Sequence, residues 1–273
     1  MWLRYVLIAA IVLQGLLTLA FILNKAEPIP QIKEFTPPTE KVLEESAPPL
    51  PDLVVQINNR NRSIQSFSCE SMTIKTWERG IKFRLKGELQ YEKDRNFRMV
   101  LRSVFGDELD LGSNDDVFWY WSRRDKEPGL YWAKHEDYNK TRLKTPFNPM
   151  FMRDTLGLNE LPEGARIIDG EDTLLLVYQK TNSLSQPILY TVIVDKQSQM
   201  VNGLLITDLA GQPLAAAEIR QYQNGLPIQI LYNWYEESKI LLLELQNPTI
   251  NRHISSRYWE PPNQSPRIDM AKD

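Results

Sequence analysis

The chain has one cysteine, Cys69, and two histidines, His135 and His253, among 273 residues. A single cysteine excludes an internal disulfide, so the fold is held by its core alone. It also excludes a cysteine-rich metal cluster, and no H-E-x-x-H pair or EF-hand-like loop offers another set of metal ligands. Neither sign of charge dominates: 32 Lys and Arg face 35 Asp and Glu, for a net charge of −3, and the two signs are interleaved. A nucleic-acid partner needs a basic stripe, so that class is set aside. G-x-S-x-G and phosphate-cradling glycine patterns are missing as well. His135 stands beside Glu136 and Asp137 in AKHEDY, but consecutive residues at a strand end point apart, and no nucleophile is spaced to use them. The segment reads as a solvated strand end. No catalytic residue, cofactor or metal is assigned, and the chain is read as a non-enzyme.

Long apolar runs are missing too, with one exception. Residues 5–24 read YVLIAAIVLQGLLTLAFILN, with no charge between Arg4 and Lys25. Twenty helical residues rise about 30 Å, the thickness of a bilayer's hydrocarbon core. The run is longer than a cleavable h-region and ends in Phe21, Ile22 and Leu23, a poor cleavage site. The reading is an uncleaved signal anchor; the alternative is a cleaved signal that releases the rest to the periplasm. No cysteine stands directly after the run, which excludes a lipidated N-terminal Cys in its usual form. Arg4 on one side and Lys25 and Lys33 on the other barely set an orientation. Residues 26–51 carry Pro28, Pro30, Pro37, Pro38, Pro48, Pro49 and Pro51. Such a stretch is extended and semi-rigid, about 3.1 Å per residue, and reads as a spacer.

The body, residues 52–255, is expected to be one domain. Asp52 is a good N-cap for a helix LVVQINNRNRSIQS, with Leu53, Ile57 and Ile64 on one face beside Val54, and Asn58, Arg60 and Arg62 opposite. The period then changes to two. Ile81, Phe83, Leu85, Leu89 and Tyr91 alternate with Lys82, Arg84, Lys86 and Glu88, and NFRMVLRSVF repeats the pattern. Strands DELDL, VFWYWSRR and GLYWAKH follow. A second insert predicts a short helix from Pro149 to Leu156, with Phe151, Met152, Thr155 and Leu156 facing a sheet and Gly157 past its end. Six more strands, DTLLLVYQ to KILLLELQ, are joined by short turns. Residues 256–273 are polar, contain three prolines, and read as a flexible tail.

The spacing predicts a mainly β fold: a curved, open, antiparallel half-barrel of about 11 strands, with a few helices on the concave face and a transmembrane helix before it. VFWYWS and KILLLELQ are apolar on both faces, which calls for cover on both sides. Trp77, Phe83, Phe97, Trp119, Trp121, Tyr131, Trp132 and Tyr190 fall on expected strands. With Leu85 and Met99, the set without Tyr131 is the candidate lining of an apolar cavity; Trp119 and Trp121 share one face of their strand. Arg84, Arg98 and Arg102 are assigned to a solvated convex face, the alternative being an anionic-headgroup anchor at a cavity mouth.

The order of elements resembles the outer-membrane lipoprotein carrier superfamily, the LolA/LolB-like proteins. The resemblance is carried by the helix with LVVQINNRNRSIQSFS, the strands IKFRLKGELQYEKDRNFRMVL, the aromatic strand, the mid-chain helix, and VNGLLITDLAGQPLAAAEIRQYQNGLPIQILYNWYEESKILLLELQNPTINRHI. It implies an incomplete antiparallel barrel with helices as a lid over a cavity that takes lipoprotein acyl chains. The chain shows neither a good cleavage site nor a lipobox, so the resemblance points to a membrane-tethered relative. Lipid or lipoprotein acyl chains and the membrane are the expected partners, with a place in lipoprotein sorting to the outer membrane. The alternative is a structural or interaction protein of the envelope with a filled core.

Overall fold

A computed structural model describes residues 29–32, 52–78, 81–93, 95–125, 127, 129–141, 149–236 and 238–272. Among them, helix α1 (Asp52–Arg62) leads into the first meander: β1 (Ser66–Glu78), β2 (Ile81–Glu92), β3 (Asn96–Ser103), β4 (Gly106–Ser113), β5 (Val117–Ser122) and β6 (Leu130–Lys134). A 3₁₀ turn (His135–Lys140) and helix α2 (Pro149–Asp154) precede the second meander. This runs through β7 (Arg166–Asp169), β8 (Thr173–Thr181), β9 (Pro187–Asp195), β10 (Met200–Thr207), β11 (Pro213–Gln223), β12 (Leu226–Trp234) and β13 (Lys239–Gln246). Strand β14 (Thr249–Ile250), a 3₁₀ turn (Ser256–Trp259) and β15 (Arg267–Asp269) end the described chain.

The strands form one sheet of 15 in the order β15-β6-β5-β4-β3-β2-β1-β13-β12-β11-β10-β9-β8-β7, with β14 also on β1. Among the described residues the order ends in two edges, β15 and β7, so the sheet is open. Strand β1 sews the meanders together: it pairs antiparallel with β2 on one side and with β13 on the other, from Ser71↔Gln246 to Trp77↔Ile240. The sheet is strongly curled. Phe118 on β5 and Tyr190 on β9 lie far apart in the strand order yet line one 270 Å³ cavity.

The strand count corrects the expected eleven. Strand β1 was legible only through Cys69 and Trp77, and β7, β14 and β15 are too short to show a period. Residues 256–272 are also not a loose tail. Trp259 is buried, and β15 adds to β6 as a parallel edge strand, Arg267↔Leu130 to Asp269↔Trp132.

The concave face is filled by α1, α2 and the loop after α2. Val54 and Ile57 of α1 and Phe151, Met152 and Leu156 around α2 are all buried in the main core. Phe151 meets Tyr232 and Trp234 edge-on, and those two rings stack at 5.5 Å. The Thr155 hydroxyl and the Tyr232 hydroxyl share a 2.7 Å hydrogen bond. The second helix therefore docks through the face its sequence predicts.

The first helix differs from expectation in two respects. It ends at Arg62 rather than running on to Ser66, which begins β1. Asn58, assigned to its wet face, is 4% exposed. Its amide donates to the Leu161 carbonyl (3.1 Å) and accepts from the Leu161 amide (2.7 Å). Asn61 donates to the carbonyls of Gly157 (3.2 Å) and Asn159 (2.7 Å). The loop 155–162 has no strand partner for these backbone groups, and burial without partners is costly. The two asparagines supply what a ladder would.

The convex face is covered by returning chain. Arg98 on β3 and Asp110 on β4 form a two-point pair (3.2 and 2.7 Å), and Arg98 also donates to the carbonyls of Tyr258 (2.7 Å) and Glu260 (3.2 Å). Trp119 Nε1 donates to Asp110 (2.9 Å), and its indole lies over Gly112, where a Cβ would overlap the ring. Further along, Trp77, Leu231 and Leu242 form a second cluster with Ile32 and Ile240 against it, and Arg220 donates to the Gln31 carbonyl. Residues 29–32 thus lie against the back of the sheet. Residues 5–24 and 33–51 lie outside the described residues; among those described, no helix is long and apolar enough to cross a membrane.

Replacing Asn58 with Ala leaves the buried Leu161 amide and carbonyl without partners. The expected cost is about 1–3 kcal/mol, read as a lower denaturant midpoint at unchanged m-value. An unchanged midpoint refutes the clamp.

Candidate functional site

Core side chains do not fill the concave face at one end. A cavity of about 230 Å³ lies between α2 and the sheet where β1, β2 and β12 reach their outer ends. Its walls are apolar: Ile74 from β1, Phe83 and Leu85 from β2, Met99 and Leu101 from β3, Leu109 and Leu111 from β4, Met152 from α2, Trp234 from β12 and Leu241 from β13. The polar groups are Thr76, Glu108, Ser122, Arg124 and Lys239. The period-two pattern builds this wall directly, since alternate residues of β2, β3 and β4 face inward.

The rim is tied together. Glu108 is 5% exposed; it accepts from the Ser103 hydroxyl (2.5 Å) and from Arg124 Nε (3.1 Å). The Ser103 hydroxyl foremost, and then Arg124, hold its carboxyl below the usual range against the opposing effect of burial. Arg124 also lies over the Phe83 ring at 5.7 Å. Beside this rim the β3–β4 turn carries two bare apolar side chains, Val104 (94% exposed) and Phe105 (79% exposed). Arg123 Nη1 holds the Phe105 carbonyl at 2.7 Å.

At the other end of the concave face are two further hollows with charged residues among their walls. One of 270 Å³ is lined by Arg95, Phe118, His135, Tyr138, Asp154, Lys180, Thr181 and Tyr190. The other, of 220 Å³, lies between α2, its loop and β8–β10, with Arg153, Asp154, Glu160 and Lys180 among its walls. His135 Nε2 sits 2.7 Å from the Asn114 carbonyl, which assigns the proton to that nitrogen. Desolvation pushes its pKa below 6.5. Glu136 and Asp137 do not join it: they pair with Lys134 (3.5 Å) and Lys140 (2.6 Å). Among the described residues no group of His, Cys, Asp and Glu is arranged to hold a metal ion.

The expected lining residues divide between the two faces. Phe83, Leu85 and Met99 line the cavity. Phe97 lies deeper in the same core, and Tyr190 is in that core beside the His135 hollow. Trp77, Trp119, Trp121 and Trp132 are on the convex side. Trp77 belongs to the second cluster, Trp119 bonds Asp110, and Trp121 lines a cleft with Arg98, Tyr258 and Pro262. Trp132 is in register with Trp119 and so shares its face. The face assigned to Trp119 and Trp121 is thus corrected. Alternation separates two faces but does not say which is inside, and on β5 both are apolar. Tyr120, not Trp119, enters the main core.

Of the three arginines considered as anchors, none lines this cavity. Arg98 is saturated in its pair with Asp110, Arg102 bonds Glu88 and Asp107 on the outside, and Arg84 is exposed. The residue at the mouth is Arg124, which sequence reading missed. Its only signal was an Arg-Arg step ending an apolar strand beside the acidic start of β4.

The fold is the LolA-like one: an open antiparallel sheet curled around helices. Solved structures that share it include the following three. A LolA superfamily protein from Nitrosomonas europaea aligns at TM-score 0.50 with 11% identity, covering 76% of this chain and 97% of its own. A DUF1329 family protein from Desulfovibrio piger gives 0.52 with 12% identity, covering 77% and 95%. A domain described as an outer membrane lipoprotein-sorting protein, from Vibrio parahaemolyticus, gives 0.52 with 10% identity, covering 76% and 94%. No protein-family profile matches the chain, and neither does any curated protein.

A histidine whose folded pKa lies below its unfolded value costs stability when it must charge. The contribution is complete above pH 6.5 and is lost as pH falls through the folded pKa. Wild-type protein is therefore expected to lose stability between pH 7 and pH 5 by more than His135→Gln does, and the His135 ring resonances to titrate below pH 6.5. Parallel pH–stability curves refute the assignment.

Proposed function

We propose that the domain is a non-enzymatic binding module that holds an acyl chain, of a lipid or lipoprotein, in the cavity between α2 and the sheet. The observation that carries this is the cavity itself. Its wall is mostly aliphatic, Met and aromatic side chains, with Thr76, Glu108, Ser122, Arg124 and Lys239 as the polar members. Such a hollow offers an apolar chain burial at about 25 cal/mol per Å² and gives a polar ligand few groups to bond. The shared fold supports the reading, since one of the similar structures is described as a lipoprotein-sorting domain. The alternative is an envelope interaction protein whose cavity stays empty.

The test uses protein purified from membranes. Native mass spectrometry is expected to find bound acyl species, and a fluorescent fatty acid is expected to bind. Filling the cavity by Leu85→Trp or Met99→Trp should weaken the probe by about tenfold or more, a loss of about 1.4 kcal/mol. Trp121→Ala, on the convex side, should leave binding unchanged. If the protein carries no lipid and binds no probe, the interaction-protein reading takes its place.

We further propose that residues 5–24 remain as a membrane anchor and hold the domain in the periplasm or an equivalent exported compartment. The length of the apolar run and the poor cleavage site support this. So does the apolar tip Val104–Phe105, which places its bare side chains beside the cavity mouth where a bilayer surface would receive them. Intact mass of native protein is expected to include residues 5–24, and the protein should resist carbonate extraction. A mature chain that begins after residue 24 overturns the anchor. Serine at both tip positions should slow probe uptake from vesicles without changing affinity for free probe; an unchanged rate removes the tip from the proposal.

A further inference from the structure

We propose that the cavity selects an amphiphile with one acyl chain and an anionic head, and that Arg124 binds the head at the mouth. This rests on the acyl-binding reading of the same cavity and specifies its ligand.

The size of the hollow sets the number of chains. At about 230 Å³ it exceeds the roughly 150 Å³ of a cavity that holds a benzene. It falls short of the roughly 300 Å³ at which pockets for drug-sized ligands begin. One chain end fits, and a bundle of two or three does not.

The rim sets the charge. Arg124 is held by its inner edge only, Nε to Glu108 at 3.1 Å, with its guanidinium over Phe83. Among the described residues its two terminal nitrogens have no hydrogen-bond partner, and the side chain is 61% exposed. A guanidinium fixed at one edge presents the fork that a carboxylate or phosphate accepts in two-point fashion. Glu108 is not a competing anion for a ligand. It is buried, and its two oxygens are taken by Ser103 and Arg124. Lys239 also lines the cavity. Glu108 is then a positioning residue. It turns Arg124 so that an apolar tail below and an anionic head above are met by one side chain and the wall beneath it.

The experiment uses the full chain in isolated membranes and three single-chain probes with a photoreactive diazirine near the tail end. These are a fatty acid, a lysophosphatidate and the matching neutral alcohol. At least one anionic probe is expected to label the peptide containing Phe83 and Leu85 about fivefold more than the alcohol does, a difference of about 1 kcal/mol. Comparing the two anionic probes assigns the head as carboxylate or phosphate. Arg124→Gln should abolish the preference while alcohol labelling persists. Arg123→Gln, which loses a contact to the hairpin tip, should keep it. Equal labelling by all three probes, or a preference that survives Arg124→Gln, overturns the headgroup assignment and leaves acyl binding standing. A diacyl probe that labels as strongly as the single-chain ones overturns the size limit. Absence of labelling by every probe overturns this inference and the acyl-binding function together.

Discussion

An open sheet that curls without closing has two faces to cover and two edges to blunt, and β1 imposes that problem here. By pairing with β2 and β13 at once it fuses two meanders into a single surface. Among the described residues neither meander has a partner sheet to pack on, so the cover comes from the remaining chain. The concave side receives two helices and a loop, and the convex side receives the C-terminal segment and residues 29–32. The edges are short, three residues in β15 and four in β7, which limits the ladder left open to other strands. A closed barrel would have removed the edges and left a symmetrical interior. The open one leaves an interior only as full as its helices make it.

That filling is uneven because α2 is six residues long. It reaches Tyr232 and Trp234 on one flank and the β3–β4 wall on the other, but cannot span the whole concave width. α1 is pinned by Asn58 and Asn61 to the loop 155–162 and cannot slide over to help. The polar clamp at one end therefore has a structural consequence at the other, namely a hollow walled by side chains that the sheet had already turned inward. The apolar character of the hollow is the ordinary inner face of β2, β3 and β4, which the described helices and loop leave uncovered.

The sequence made the inner wall legible and hid the rest for identifiable reasons. Alternation on β2 and β3 placed Phe83, Leu85, Phe97 and Met99 on one face, and all four are inside. The α2 face was readable because three apolar positions and Thr155 coincide with a proline start and a glycine stop, Gly157 at φ +68°. On β5 the same method failed, because covering chain on the convex side makes Trp119 as buried as any core residue. That cover comes from a segment whose prolines and polarity resemble a tail, although Tyr258, Trp259 and Ile268 are partly or wholly buried within it. Asn58 misled for a related reason. A polar residue on a helix reads as solvated unless its backbone partners, 103 residues away, are known. Short edge strands such as β7 and β15 have too few residues to show any period.

The arginines show how one residue type takes different roles on the two faces. Arg98 has four described hydrogen bonds, to both Asp110 oxygens and two carbonyls, and its side chain is 16% exposed. It ties the C-terminal strap to the sheet and has little donor capacity left for a ligand. Removing its partner would strand a buried charge, so its energetic role is to be satisfied. Arg124 is the reverse case. One edge is held by a buried carboxylate, the guanidinium lies over the Phe83 ring, and the side chain is 61% exposed. Which arginine can serve a ligand is decided by what each has already bonded, and that depends on the register of β3 with β4 and of β4 with β5. In that register Asp110 faces out beneath the strap, while Glu108, two residues earlier, lies at the cavity rim across the irregularity between Leu101 and Arg102. A carboxylate two places along the same strand would ordinarily share the outer face. The bulge turns it toward the mouth, and the guanidinium that follows it marks where an apolar cavity meets charge.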